Sequence, residues 1–360
     1  MHLRTGVGPV ELNVSYGYDP GSGHWGCPLR QRWGLQPRQR LSPALEDRLA
    51  FTLTATTSYA QAAALACKWG VCADDSTLHE LARRLGTRAE AQTQARLQTP
   101  PPESQPQRAP TALAVLEIDA WLVRHRGPGW GRKKTQKPRV AWHEMKIGLF
   151  YRHEQRIQAD NGRGLLTDKA IVSCQGDGLQ LARRLHWQAQ ADGLGRAKNV
   201  LALADGADWC WRTIEDRWPQ AGQLLDFYHA SQHVWEVGRA LHGDDEEKVR
   251  PWVERRLHWL KHGQEKRWLK ELGGLKRPGG AAGEAVRRNQ NYFASHAGRM
   301  DYAGAARRGW PIGSGAVESA CLSQQGRFKR PGQFWTRDGL RHLSALQETL
   351  ANGHWAQLWN

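Results

Sequence analysis

The stretch TALAVLEIDAWLVRHR, Thr111 to Arg126, decides the fold. Its run of Leu, Val, Ile and Ala is too apolar for a surface segment and reads as a buried β-strand that carries Asp119 near its end. A carboxylate there is costly unless it faces an open cleft or a cation.

The same pattern recurs downstream. RVAWHEMKIGLFYRHEQR (139–156) and KAIVSCQ (169–175) are two further strands, and DGLQLARRLHWQAQADGLG (177–195) places Leu179, Leu181 or Ala182, Leu185 and Ala189 at helical spacing. NVLALADGADW (199–209) returns a buried strand ending at Asp205, and QLLDFYHASQHVWEVGRAL (223–241) is a strand running into a helix. Three strands, a helix, a strand, a helix or turn, a strand and a helix predict an α/β fold with a sheet flanked by helices over 111–242. Acids at the ends of such strands mark the edge where these sheets place their active sites.

From 243 to 308 the chain turns polar and helical, with EEKVRPWVERRLHWLKHGQEKRWLKEL and no strand signal, so a helical insertion is expected. Beyond it, GSGAVESACLSQQGRFKRPGQFW (313–335) opens a helix with a lone acid, Glu318, ahead of a basic and aromatic run. Residues 309–355 are expected to close the core. Two aspartates on strand ends and a glutamate on a helix are the oxygen donors a pair of Mg²⁺ or Mn²⁺ ions needs to clamp the attacking and leaving oxygens of a phosphodiester.

Towards the N-terminus, residues 1–40 alternate briefly like a strand and then run through Gly, Pro and Arg without periodicity, reading as the tail of a longer segment. Over 41–86, Ser42, Ser58, and Asp75 or Ser76 are N-cap candidates for three short helices. These fit a helix-turn-helix whose third helix, Ser76 to Leu85, offers Arg83 and Arg84 to a DNA groove; a plain three-helix bundle is the competing reading. Residues 87–110, poor in apolar side chains and ending in prolines, predict an extended Pro/Gln-rich linker.

Across 360 residues, 51 Lys and Arg stand against 35 acids, a formal charge of +16, so nucleic acid is the first partner to consider. The six cysteines form no C-x-x-C pair and read as free thiols of a cytoplasmic protein. No apolar run approaches a membrane span. Lys133 and Lys134 lie in a basic stretch that is either a solvated loop or a phosphate-gripping hairpin, and Lys146, Arg327, Lys329 and Arg330 are candidate DNA-backbone contacts. Trp235, Trp252, Trp259 and Trp268 interleave with Arg and Lys, where base stacking is an option.

Taken in order, LEIDAWLV, WHEMKIGLFY, ALADGADWCW, LLDFYHASQHVWEV and IGSGAVESACLSQQGRFKRPGQFWTRDGLRHLSALQETLANGHW resemble the bacterial insertion-sequence transposases of the ISKra type. The resemblance spans residues 41 to 355 and implies a ribonuclease-H-like core. It implies that Asp119, Asp205 and Glu318 form the metal-binding triad, and that Asp226 and His229 match a Cys-or-Asp, two residues, His signature beside the site. His229 would then contact the scissile phosphate or a flipped base, with His233 a competing candidate. The implied partners are double-stranded DNA at the element ends and target, and a second copy of the chain in a homodimer or larger assembly, nucleoid-associated. The competing functions are a structure-specific nuclease, and a decayed copy that only binds DNA.

Overall fold

The structure, a computed structural model, describes residues 1–35, 39–101, 111–127, 130, 140–160, 164–276 and 278–359. Two small hairpins come first, β1 (His2–Thr5) with β2 (Gly8–Glu11) and β3 (Gly17–Asp19) with β4 (His24–Gly26). Helices α1 (Pro28–Arg32), α2 (Pro43–Ala55), α3 (Tyr59–Lys68) and α4 (Asp75–Gln98) follow. Next are strands β5 (Leu113–Arg126) and β6 (Val140–Arg152), a hairpin of β7 (Arg156–Gln158) and β8 (Gly164–Leu166), and strand β9 (Ala170–Cys174). The order continues α5 (Gly178–Ala191), β10 (Asn199–Ala204), α6 (Asp208–Arg217), β11 (Gly222–Leu225) and α7 (Phe227–His242). The remaining helices are α8 (Glu246–Lys261), α9 (Glu265–Gly274), α10 (Gly280–Ser295), α11 (Tyr302–Arg307), α12 (Gly315–Phe328) and α13 (Arg337–Ala351).

The chain forms two compact units, one of Met1–Ala95, Val123–Trp142 and Gln324–Asn360, the other of Arg96–Leu122 and His143–Ser323. The second is a mixed α/β unit built on a five-stranded sheet in the order β11-β10-β5-β6-β9. β10 runs parallel to both β5 and β11, and β6 runs antiparallel to β9. Leu113 to Ile118 and Leu201 to Ala204 are buried without alternation, the signature of central strands covered on both faces. Gly148 on β6 admits the neighbouring helix: a Cβ there would meet Leu185 of α5 at 2.6 Å. The segment 243–308 is helical as expected, with α8 packed on α7, α9 on α8, and α10 on both α7 and α9.

Two expectations for this unit change. β5 continues seven residues beyond Asp119, so that acid lies mid-strand; what ends there is the pairing with β10, whose last partner on β5 is Ile118. Trp259 and Trp268 are buried in the helical segment, Trp268 against Trp252 and Phe293, which removes them as stacking platforms.

In the first unit, α2 buries Leu45, Leu49 and Leu53, α3 buries Ala62 and Ala66, α4 buries Leu78 and Leu85, and α13 adds Leu340, Leu343 and Leu346. Ser42 and Ser58 cap α2 and α3 by accepting from the Leu45 and Gln61 amides. Asp74, one residue before the expected cap, accepts from Thr77 N at 2.7 Å at the start of α4. Gly86 is the point of closest approach between α4 and α13, where a Cβ would lie 2.4 Å from His342 Cβ and 2.6 Å from its backbone. α4 runs to Gln98, so the first half of the expected linker is helix; Ala, Arg, Gln and Glu are good helix formers even where few apolar residues mark a buried face. The proline-rich remainder, 102–110, lies outside the described residues. Among the described residues no helix is long and apolar enough to cross a membrane.

Candidate active site

Register in the sheet aligns the acids. β10 and β5 pair Ala204 with Ile118, and β10 and β11 pair Ala204 with Leu225. The next residue on each strand is Asp205, Asp119 and Asp226. Three aspartates therefore stand side by side along the C-terminal edge of three adjacent parallel strands, spaced as neighbouring strands are, about 4.8 Å apart. This is the edge at which open α/β sheets present their sites.

Each aspartate is held differently. Asp119 Oδ1 accepts from the Ala120 amide at 2.6 Å and Oδ2 from the Cys321 thiol at 3.4 Å. Asp205 Oδ1 accepts from Ala207 N at 3.0 Å and from the Cys210 thiol at 3.8 Å. Burial pushes both thiols well up, so they stay protonated as donors. Asp226 is fully buried; Oδ1 caps α7 through His229 N, and Oδ2 accepts from both Ser314 N and Ser314 Oγ. It is a clamp on the GSG segment, not a free ligand.

A second clamp went unseen in the sequence. Glu117 shares a strand face with Asp119, two residues away, and is 1% exposed. Its Oε2 accepts from Val317 N at 2.8 Å and its Oε1 from the Tyr151 hydroxyl at 3.0 Å. Burial pushes its carboxyl up to about 7 against the pull of these donors. The only hint was an acid inside an apolar run, which Asp119 already occupied as an explanation.

With Asp226 and Glu117 gripping Ser314 and Val317, the first turn of α12 is fixed and Glu318 with it. Gly313 makes the approach possible, since a Cβ there would come within 2.6 Å of the Tyr228 ring. Gly206, after Asp205, adopts φ +104°, a region that favours glycine, against Tyr292, whose hydroxyl donates to Asp205 O at 2.8 Å.

Electrostatics tie the acids together. Asp119 is raised by burial and by Asp205, and Glu318 by burial, Asp226 and Asp119; His229 lowers both. His229 is therefore within electrostatic reach of both acids. The competing His233 is occupied elsewhere, its Nδ1 2.6 Å from Asn289 Oδ1 and its ring stacked on Tyr292 at 3.7 Å. Among the described residues no three His, Cys, Asp or Glu side chains stand close enough to form a ready-made metal shell. The oxygen donors of Asp119, Asp205 and Glu318 nevertheless suit a hard divalent cation, and their mutual repulsion is what such a cation would relieve.

No family model matches the chain. Over 338 residues, 91% of this chain and 67% of the other, it is 22% identical to a Streptococcus gallolyticus protein described as "UPF0236 protein in vanSb 3'region". That description states no activity.

The basic candidates divide. Lys146 is buried, paired with Glu144 and seated 3.9 Å from the Trp209 ring, so it is not an outer DNA contact. Arg327 is also buried, at 3% exposure, which corrects its reading as a surface contact; it sits on the inner side of the second half of α12. Lys329 is half-buried over Trp142, while Arg330 is exposed. Arg83 is exposed and pairs with Glu80; Arg84 pairs with the buried Glu46 at 2.5 Å. Lys133 and Lys134 lie outside the described residues.

Proposed function

We propose that this chain is a DNA transposase of the DDE kind, with a ribonuclease-H-like core and a helix-turn-helix in α2 to α4, acting as a homodimer or larger assembly on the ends of a mobile element. The observation that carries the reading is the row of Asp119, Asp205 and Asp226 at one sheet edge, with Glu318 fixed beside it by two buried carboxylates.

Asp119, Asp205 and Glu318 would hold a pair of Mg²⁺ or Mn²⁺ ions, which when bound would polarise the phosphoryl oxygen and activate the attacking water. In the first step water attacks phosphorus and the P–O3′ bond breaks, releasing a 3′-hydroxyl on the element. In the second, that hydroxyl attacks a target phosphodiester, forming a new P–O bond as the target's own 3′-oxygen leaves. Both are in-line displacements, in which positioning of the reacting oxygens supplies much of the rate. His229, within electrostatic reach of Asp119 and Glu318, would donate to a phosphate oxygen. Asp226 and Glu117 act through position, keeping Glu318 aligned with the sheet edge.

The test is a Mg²⁺-dependent cleavage and joining assay on the DNA flanking the gene, with wild type, Asp119→Asn, Asp205→Asn and Glu318→Gln. Joined product that disappears in all three variants while DNA binding persists supports the reading. Cleavage without joining points to a nuclease, and binding alone to a decayed copy.

A further inference from the structure

The first unit contains a cavity of about 360 Å³ walled by Tyr59, His79, Arg126, Arg327, Phe334 and Trp335. Its size falls at the lower end of small-molecule pockets, about 300–1,000 Å³. Arg327 sets its character. The guanidinium lies 5.5 to 5.8 Å from the ring centres of Trp335, Tyr59 and Phe328. Nη1 donates to Thr57 O at 3.1 Å, but Nε and Nη2 are buried without an acceptor.

An arginine buried without a carboxylate is expensive, because its desolvated charge has nothing opposite to it. The neighbours acting on that charge are Tyr59 and Arg330, and burial pushes the group down to about 10. Asp75, the acid in the cavity wall, is exposed and so screened by solvent. Arg126, exposed, adds a second cation and donates to Phe334 O at 3.2 Å, fixing the loop that carries both aromatic walls. Gln333, donating to Thr57 O at 3.0 Å, fixes it from the other side. A cavity whose wall holds a guanidinium with two unbonded nitrogens and several aromatic rings fits one ligand chemistry: the guanidinium matches phosphate oxygens and the rings match a planar base.

We propose that this cavity binds a nucleoside monophosphate unit, with Arg327 meeting the phosphate and Phe334 and Trp335 the base. The unit is either a free nucleotide or an unpaired nucleotide of a DNA strand, and only the latter source rests on the transposase reading.

Calorimetric titration of the full chain in EDTA, where no cleavage occurs, keeps the test independent of the acidic site. With dAMP as the probe, one-to-one binding is expected, at least about tenfold tighter than deoxyadenosine, since charged hydrogen bonds of this kind are worth that much or more. Arg327→Met loses about tenfold in dAMP affinity, and Phe334→Ala weakens dAMP and deoxyadenosine alike. Where Arg327→Met fails to fold by circular dichroism, Arg327→Lys carries the same test, keeping the charge and losing the fork. Absence of dAMP binding, or equal binding by wild type and the Arg327 variant, overturns the proposal. A 5′-phosphorylated single-stranded oligonucleotide that displaces dAMP identifies DNA as the source; dAMP binding that the oligonucleotide leaves untouched identifies a free nucleotide.

Discussion

Asp226 in the second unit and Arg327 in the first are both more than nine-tenths buried, yet three donors reach the aspartate's carboxylate while two nitrogens of the arginine, Nε and Nη2, reach no acceptor. The aspartate's charge is consumed by the fold, since it caps α7 and pins the segment leading into Glu318. The arginine's charge is left over, caged by aromatic rings that tolerate a cation without neutralising it. The aspartate with all its partners is architecture; the arginine lacking them is, on the proposal above, where a ligand completes the set.

The largest effect expected on this contrast is chemical. On the proposed transposase reading, Glu318→Gln, like Asp119→Asn or Asp205→Asn, should lower strand joining by roughly a thousandfold or more, with DNA binding unchanged in a filter or gel assay. Asp226→Ala should cost about 3 kcal/mol or more in urea unfolding, because it strands the Ser314 and His229 donors, and Asp226→Asn less.

Glu117 tests the same principle through pH. Its folded carboxyl stands near 7 against 4.5 for an ordinary glutamate, so the folded state holds a proton that the unfolded state has lost between those values. This group therefore stabilises the fold fully below about 4.5 and withdraws that stability as pH rises to about 7, a change of about 3 kcal/mol. Glu117→Gln should remove that slope from unfolding curves recorded in EDTA across the window.

Gly86→Ala should destabilise by about 1–3 kcal/mol, read as a lower urea midpoint, since α4 and α13 must separate to admit the methyl group. Smallest is Arg327→Met, expected to change stability without nucleotide by no more than about 1 kcal/mol, because an apolar chain in an aromatic cage avoids the cost of burying charge. A loss as large as that of Asp226→Ala would erase the contrast between the two sites.

Much of this was legible in the residues. The strands β5, β6, β9, β10 and β11 and the helices α5 and α7 stand where apolar runs and spacing put them, because burial imprints its period on local sequence. Asp119 and Asp205 were visible as acids interrupting those runs. The length of α4 was not, since propensity extended it through a segment with no apolar stripe to announce it.

Sequence alone determined which segments are the strands of the five-stranded sheet, that Asp119 and Asp205 interrupt or end them, and that the chain is strongly basic; these are local or additive properties. Tertiary structure decided that Ile118 and Leu225 both face Ala204, which brings the three following aspartates into one row. It also decided that Glu117 reaches Val317 and that Arg327 turns inward instead of outward. Strand register and helix facing join residues far apart in the chain, and no local pattern encodes which distant partner each will meet.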